Sequence, residues 1–175
     1  MVFVITGGPG FGKTTVLNLL AEKGFPVGSE AARELLNKNF SQVPTTERRE
    51  FPSDFERNVA NERINFLQSI EQHAIAFADR GLPDQIAYSW FKGKEPSAFI
   101  EQAASMHKYA PFVFVTPPWQ EIFVRDETRK ETFDEATEIH ALILKSYLKF
   151  GYKLIVLPLV NPGLRVKFIL EFLGI

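Results

Sequence analysis

The chain contains no cysteine. A disulfide framework and a thiolate-bound zinc site are thereby excluded, and a reducing compartment fits. Charge of neither sign dominates: 20 Lys+Arg stand against 21 Asp+Glu, a formal net charge of -1. A protein that coats nucleic acid would carry a basic stripe, so that class is disfavoured, although a local basic cleft remains compatible. No uncharged apolar run is long enough to span a bilayer. The first apolar segment begins at residue 2, leaving no room for the charged start of a signal peptide, and the expected location is cytoplasmic. The three histidines, His73, His107 and His140, lack metal-ligand spacing and are given no role; His140 is expected at the surface or a boundary. Internal repeats, linkers and low-complexity tracts are absent as well. Apolar material, in contrast, is plentiful: 45% of the 175 residues are hydrophobic and 17 are Phe, enough for one folded domain with a sizeable core.

The opening MVFVITGGPGFGKTT carries the strongest signal. From Gly7 to Thr14 it fits G-x-x-x-x-G-K-[ST], a phosphate-binding loop, preceded by a buried strand (residues 2–5) and followed by a helix (residues 14–21). Glycines at 7, 8, 10 and 12 let successive N–H groups turn toward one anion, with Pro9 and Phe11 between them. The helix start adds its free N–H groups, those of Lys13, Thr14 and Thr15, and its positive dipole end. Lys13 is expected on the β- and γ-phosphates of ATP, and the Thr14 hydroxyl on Mg²⁺.

Farther along, short apolar runs alternate with helical segments, which indicates a parallel sheet covered on both faces. Gly24 stops the first helix, residues 25–29 (FPVGS) form a weak second strand, and residues 30–39 a short helix. Residues 40–52 lack periodicity and are expected to be a mobile surface segment. Ser53 and Glu56 make a capping box for a long helix whose apolar stripe is Phe55, Val59, Ile64, Leu67 and Ile70. A strand over residues 74–78 ends in Asp79; helices are expected over 84–92 and 96–108, and a strand over 112–115 stops at Pro117-Pro118. Thr132 and Glu135 cap a helix ending at Gly151, residues 153–157 form a fifth strand, and Asn161-Pro162 opens a terminal helix.

The chemistry needs a second acid at a strand end beside the phosphate loop, to hold Mg²⁺ or its water. Among the later core strands only residues 74–79 (AIAFAD) end in a carboxylate, which selects Asp79 by elimination, at the edge where open α/β sheets bind ligands. Arg80 suits a phosphate or carboxylate on an acceptor, or a salt bridge to Asp79 or Glu30. Glu30, with Arg33 three residues on, could act as base, hold an acceptor, or merely stabilise a helix start. Arg125, Asp126, Arg129 and Lys130 cluster in a segment, about residues 119–131, that reads as a lid; Arg125 and Arg129 are candidates to meet charge on the transferred phosphoryl group. Trp119 and Phe123 could line a pocket or pack under that lid.

GGPGFGKTT, SEAARELL, ADRGLPDQIAY, VFVTPPW and RDETRKETFDEATEIH together resemble a family of small ATPases or kinases labelled AAA-domain ATPases, related to the nicotinamide riboside kinase and thymidylate kinase folds. The resemblance implies a three-layer α/β/α P-loop NTPase fold with a five-stranded parallel sheet in the order 2-3-1-4-5. It also implies Lys13 and Thr14 on phosphate and Mg²⁺, Asp79-Arg80 at the Asp-Arg position of thymidylate kinases, and a lid holding Arg125 and Arg129. The chain is too short for the helical lid domain of ring-forming AAA+ motors. Two activities remain open: a Mg-ATP-dependent kinase for a nucleoside, nucleotide or vitamin-like metabolite, and a stand-alone ATPase whose nucleotide state regulates a partner protein. A GTP switch is disfavoured, because Asn37-Lys38-Asn39-Phe40 lacks the Asp of the guanine signature and lies too early.

Overall fold

A computed structural model describes residues 1–28, 54–72, 74–123 and 131–175. Five parallel strands form one sheet in the order β2-β3-β1-β4-β5: β1 (Val2–Thr6), β2 (Val27–Gly28), β3 (Ala76–Asp79), β4 (Phe112–Val115) and β5 (Lys153–Val156). Six α-helices stand among the described residues: α1 (Lys13–Glu22), α2 (Phe55–Ser69), α3 (Leu82–Phe91), α4 (Ala98–Met106), α5 (Phe133–Lys149) and α6 (Pro162–Leu173). The order expected from the family resemblance is the order observed.

Side chains alternate across a strand, and here both faces are covered. Val2 and Val4 of β1, with Ala76, Ala78, Val113 and Val115 of its neighbours, pack under α2, α3, α4 and α5. Phe3, Ile5, Phe77 and Phe114 face the other way, onto Val16 and Leu20 of α1 and Val166 and Ile169 of α6. The Phe3 ring lies 6.1 Å from each of the Phe77 and Phe114 rings, so three neighbouring strands are tied by aromatic contact on that face. The result is the three-layer sandwich.

The capping signals map onto the helices closely. Thr132 Oγ1 accepts from the Glu135 N–H (3.2 Å), while Glu135 Oε2 accepts from the Thr132 N–H (2.7 Å), which satisfies two otherwise orphaned donors at the start of α5. Asn161 Oδ1 accepts from Leu164 N–H at the start of α6. Two expectations need adjustment. The expected helix over residues 84–92 starts at Leu82: Asp84 lies inside its first turn and reaches back to the Gly81 N–H. The expected 96–108 helix is trimmed to Ala98–Met106, because Ser97 takes the cap, its Oγ accepting from Ile100 N–H. The expected helix over 30–39, the segment 40–52 and Ser53 lie outside the described residues; in place of the expected Ser53 capping box, α2 has Asp54 at its N-cap with no side-chain bond.

Candidate active site

The carboxyl ends of β1 and β3 bring the first set of residues together. β1 and β3 run in parallel with Ile5 opposite Asp79, so Asp79 ends its strand two residues short of the point where the glycine loop leaves β1. The loop's glycines are there because space is short. Gly7 has φ +137°, and a Cβ on it would lie 2.4 Å from the Thr116 carbonyl oxygen. A Cβ on Gly8 would lie 2.3 Å from the Ala136 carbonyl oxygen of α5. Phe11 anchors the loop from within: its ring is fully buried, 5.9 Å from Phe133 and 6.2 Å from Phe123. Phe123 packs on Phe11 and, at 5.4 Å, on Phe133. Lys13 Nζ donates to the Gly8 carbonyl at 2.7 Å.

Helix α1 opens on Gly12 in the left-handed region, with no side chain capping it. α4, α5 and α6 all use a side-chain oxygen at that place. An α-helix leaves its first N–H groups without intrahelical partners, and a start framed by a glycine loop suits an external anion. Thr14 and Thr15 sit exposed in that first turn. The Thr14 hydroxyl and the Asp79 carboxylate are both hard oxygen donors, which fits Mg²⁺. That ion usually takes one or two protein ligands and completes its shell with phosphate and water. No cluster of three or more His, Cys, Asp or Glu side chains able to hold a metal occurs among the described residues.

Arg80 and Asp84 form a buried knot beside this loop. Arg80 adopts φ +67°, a left-handed conformation that costs an L-residue about 1–2 kcal/mol. The turn sends its Nη1 back to the Gly7 carbonyl and to Asp84 Oδ1, each at 3.1 Å. Asp84 is fully buried and also accepts from Thr6 Oγ1 (2.6 Å), Gly81 N–H (2.8 Å) and Tyr147 Oη (2.5 Å). Burial works to raise its pKa; the guanidinium groups of Arg80 and Arg63, with the Gly81 and Thr6 bonds, outweigh that and hold it below the ordinary value. Burial first, and then the Asp84 charge, push the Tyr147 phenol well above its usual range, so it stays a donor. The knot ties the start of the loop to α3 and α5.

A pocket of about 350 Å³ opens on the far side of Asp79 and Arg80. Its walls come from β2 (Val27, Gly28), α2 (Arg63, Phe66) and Tyr109. The structure therefore brings the loop residues Gly7, Gly8, Pro9, Gly10, Phe11, Gly12, Lys13, Thr14 and Thr15 to the same sheet edge as Asp79 and Arg80. Glu30, Arg33, Arg125, Asp126, Arg129 and Lys130 lie outside the described residues.

Sequence reasoning passed over four structural participants. Asp84 had a signal, since it stands four residues after Arg80, the spacing of a helical ion pair. Arg63 had one too: it interrupts the apolar stripe after Phe55 and Val59. His140 and Arg165 had none. His140, expected at a surface or boundary, is buried with its imidazole edge-on to Phe11; burial, and then the Lys13 ammonium, push its pKa down to about 4. Arg165 of α6 is 1% exposed, donates from Nε to the Pro158 carbonyl and from Nη1 to the Phe11 carbonyl, and lies 4.9 Å from the Trp119 ring centroid. It braces the glycine loop from behind, and Trp119 packs on it.

A glycine phosphate loop on β1, an acid at the end of the neighbouring β3, and the order 2-3-1-4-5 define a P-loop kinase fold. Comparison with solved structures agrees. A deoxyadenosine kinase from M. mycoides superposes with a TM-score of 0.65 at 14% identity, covering 99% of this chain and 98% of that one. A thymidylate kinase from Ehrlichia chaffeensis gives 0.64 at 17% identity, covering 99% and 98%. The NadR protein in complex with NR gives 0.71 at 19% identity, covering 99% of this chain and 50% of that longer one. No curated protein matches the sequence. The AAA-domain family matches residues 2–163, and the chain belongs to that family.

Proposed function

We propose that the protein is a Mg-ATP-dependent phosphotransferase whose acceptor is a small metabolite of the nucleoside, nucleotide or vitamin-like class. The observation that carries this reading is the two-sided setting of Asp79. On one side stands the glycine loop with its uncapped helix start; on the other a separate pocket of about 350 Å³ reaches the same strand end. A hydrolase needs only the first. A kinase needs a second cavity for the acceptor, within reach of the first.

In this reading residues 7–15 cradle the phosphates of ATP, all but Pro9 having a backbone N–H to offer, and Lys13 turns its ammonium to the β,γ-bridge. Thr14 and Asp79 hold Mg²⁺, which when bound offsets phosphate charge. Arg80 keeps the loop in register with the pocket while forming part of its wall. Glu30 serves as base or acceptor ligand, with Arg33 beside it. Arg125 and Arg129 bring positive charge onto the transferred phosphoryl group from the lid, where it is needed most in the transition state. The same fold in a deoxyadenosine kinase, a thymidylate kinase and NadR is in keeping with such an acceptor.

The test is ADP formation from Mg-ATP across a panel of nucleosides, nucleotides and vitamin precursors. Stimulation by one compound, with a phosphorylated product, is the expected result. A low rate indifferent to every compound would overturn the kinase reading in favour of an ATPase that regulates a partner.

A further inference from the structure

Arg63 is buried without being satisfied. It lies on α2, in line with the buried Phe55 and Val59, and is only 7% exposed. Its Nε and Nη1 are both buried and have no hydrogen-bond partner. Buried arginines ordinarily meet a carboxylate or a row of carbonyls, because an unmet guanidinium N–H is costly away from water. The nearby buried carboxylate, Asp84, feels the Arg63 charge but spends its hydrogen bonds on Thr6, Arg80, Gly81 and Tyr147. Asp84 thus leaves the Arg63 donors unmet. Arg63 borders the pocket, where it shares the wall with Asp79, Arg80 and the exposed Glu62.

The rest of the lining mixes the apolar and aromatic Val27, Phe66, Ala78 and Tyr109 with the polar Asn65 and Ser69. The Phe66 ring is pressed against Gly28, where a Cβ would lie 2.6 Å from its Cδ1, and Tyr109 faces the same space. Such walls suit a ring-bearing body, while a guanidinium with unmet donors suits an oxyanion.

We propose that Arg63 is the oxyanion receptor of the acceptor pocket, so that the molecule phosphorylated already carries a carboxylate or a phosphate. This rests on the kinase reading of that pocket. Two matched pairs isolate the charge: thymidine against thymidine 5′-monophosphate, and nicotinamide riboside against nicotinic acid riboside. The first pair differs by a phosphate and the second by a carboxylate, so the preferred pair also tells which oxyanion is read. Turnover and calorimetric binding are measured for each, in wild type, Arg63→Gln and Arg63→Lys. The expected result is that the anionic member of one pair is favoured at least tenfold. Arg63→Gln should then raise the KM for that compound about tenfold to hundredfold, with kcat altered far less, and Arg63→Lys should recover part of the loss. A merely structural role would instead lower kcat and thermal stability without regard to acceptor charge. Equal use of neutral and anionic members, unaffected by Arg63→Gln, would overturn the oxyanion receptor and leave the kinase reading standing. Anion-dependent binding that Arg63→Gln abolishes, with no phosphorylated product, would do the reverse. No preference for the anionic member of either pair, in binding or turnover, overturns the proposal.

Discussion

The two sides of Asp79 are built by different means. On the loop side the cradle is backbone: consecutive residues, four glycines, and a helix start that no side chain caps. On the pocket side the wall is made of side chains drawn from β2, α2, β3 and Tyr109, backed by a knot that joins Thr6, Arg80, Asp84 and Tyr147 across the fold. A local cradle can be reused unchanged for one invariant ligand group. A wall assembled from distant elements can be altered one side chain at a time, which is what specificity for a variable acceptor requires.

Substitutions on the two sides should therefore fail differently. The largest effect is expected from Asp84→Asn, which removes the buried carboxylate that pairs with Arg80 and lies near Arg63. Breaking a buried pair in this way costs about 3–5 kcal/mol, to be read from denaturant unfolding. A loss under about 1 kcal/mol would mean that the knot is not a structural hub. Lys13→Ala should show the opposite signature, with turnover down on the order of 10²–10³-fold and unfolding little changed. Comparable losses of stability in both variants would erase the distinction between cradle and wall.

A smaller effect sharpens the picture of the cradle. His140 titrates at about 4 when folded and near 6.5 when unfolded, so the unfolded chain binds the extra proton between those values. Stability should accordingly be full above pH 6.5 and fall as pH drops toward 4, with a slope of at most about 1.4 kcal/mol per pH unit from this group. His140→Gln should remove that part of the slope. An unchanged pH profile in the variant would show that the imidazole is not held neutral behind the loop.

This division also explains what could be read from the residues alone. The loop from Gly7 to Thr15 is contiguous, so its motif, its strand and its helix were all visible together. The caps at Thr132 and Asn161 act within four residues and were equally legible. The sheet itself followed from apolar runs of strand length, whereas a helix start shifted where a local bond decided it, as at Asp84. Tyr147 and Arg165 depend on contacts between residues far apart in sequence, which no spacing rule reports, and the spacing signals at Arg63 and Asp84 do not tell what else those side chains meet. Arg165 illustrates the limit: nothing in the terminal helix announces that its guanidinium crosses to the carbonyl of Phe11.

The most direct test of the central claim is the fate of the terminal phosphoryl group of ATP. Protein, Mg²⁺ and γ-³²P-labelled ATP are incubated with the acceptor panel, and the label is followed in acceptor and inorganic phosphate separately. Transfer to one acceptor, lost in Lys13→Ala, is the result predicted. Label found only in inorganic phosphate, at a rate no acceptor changes, would contradict it.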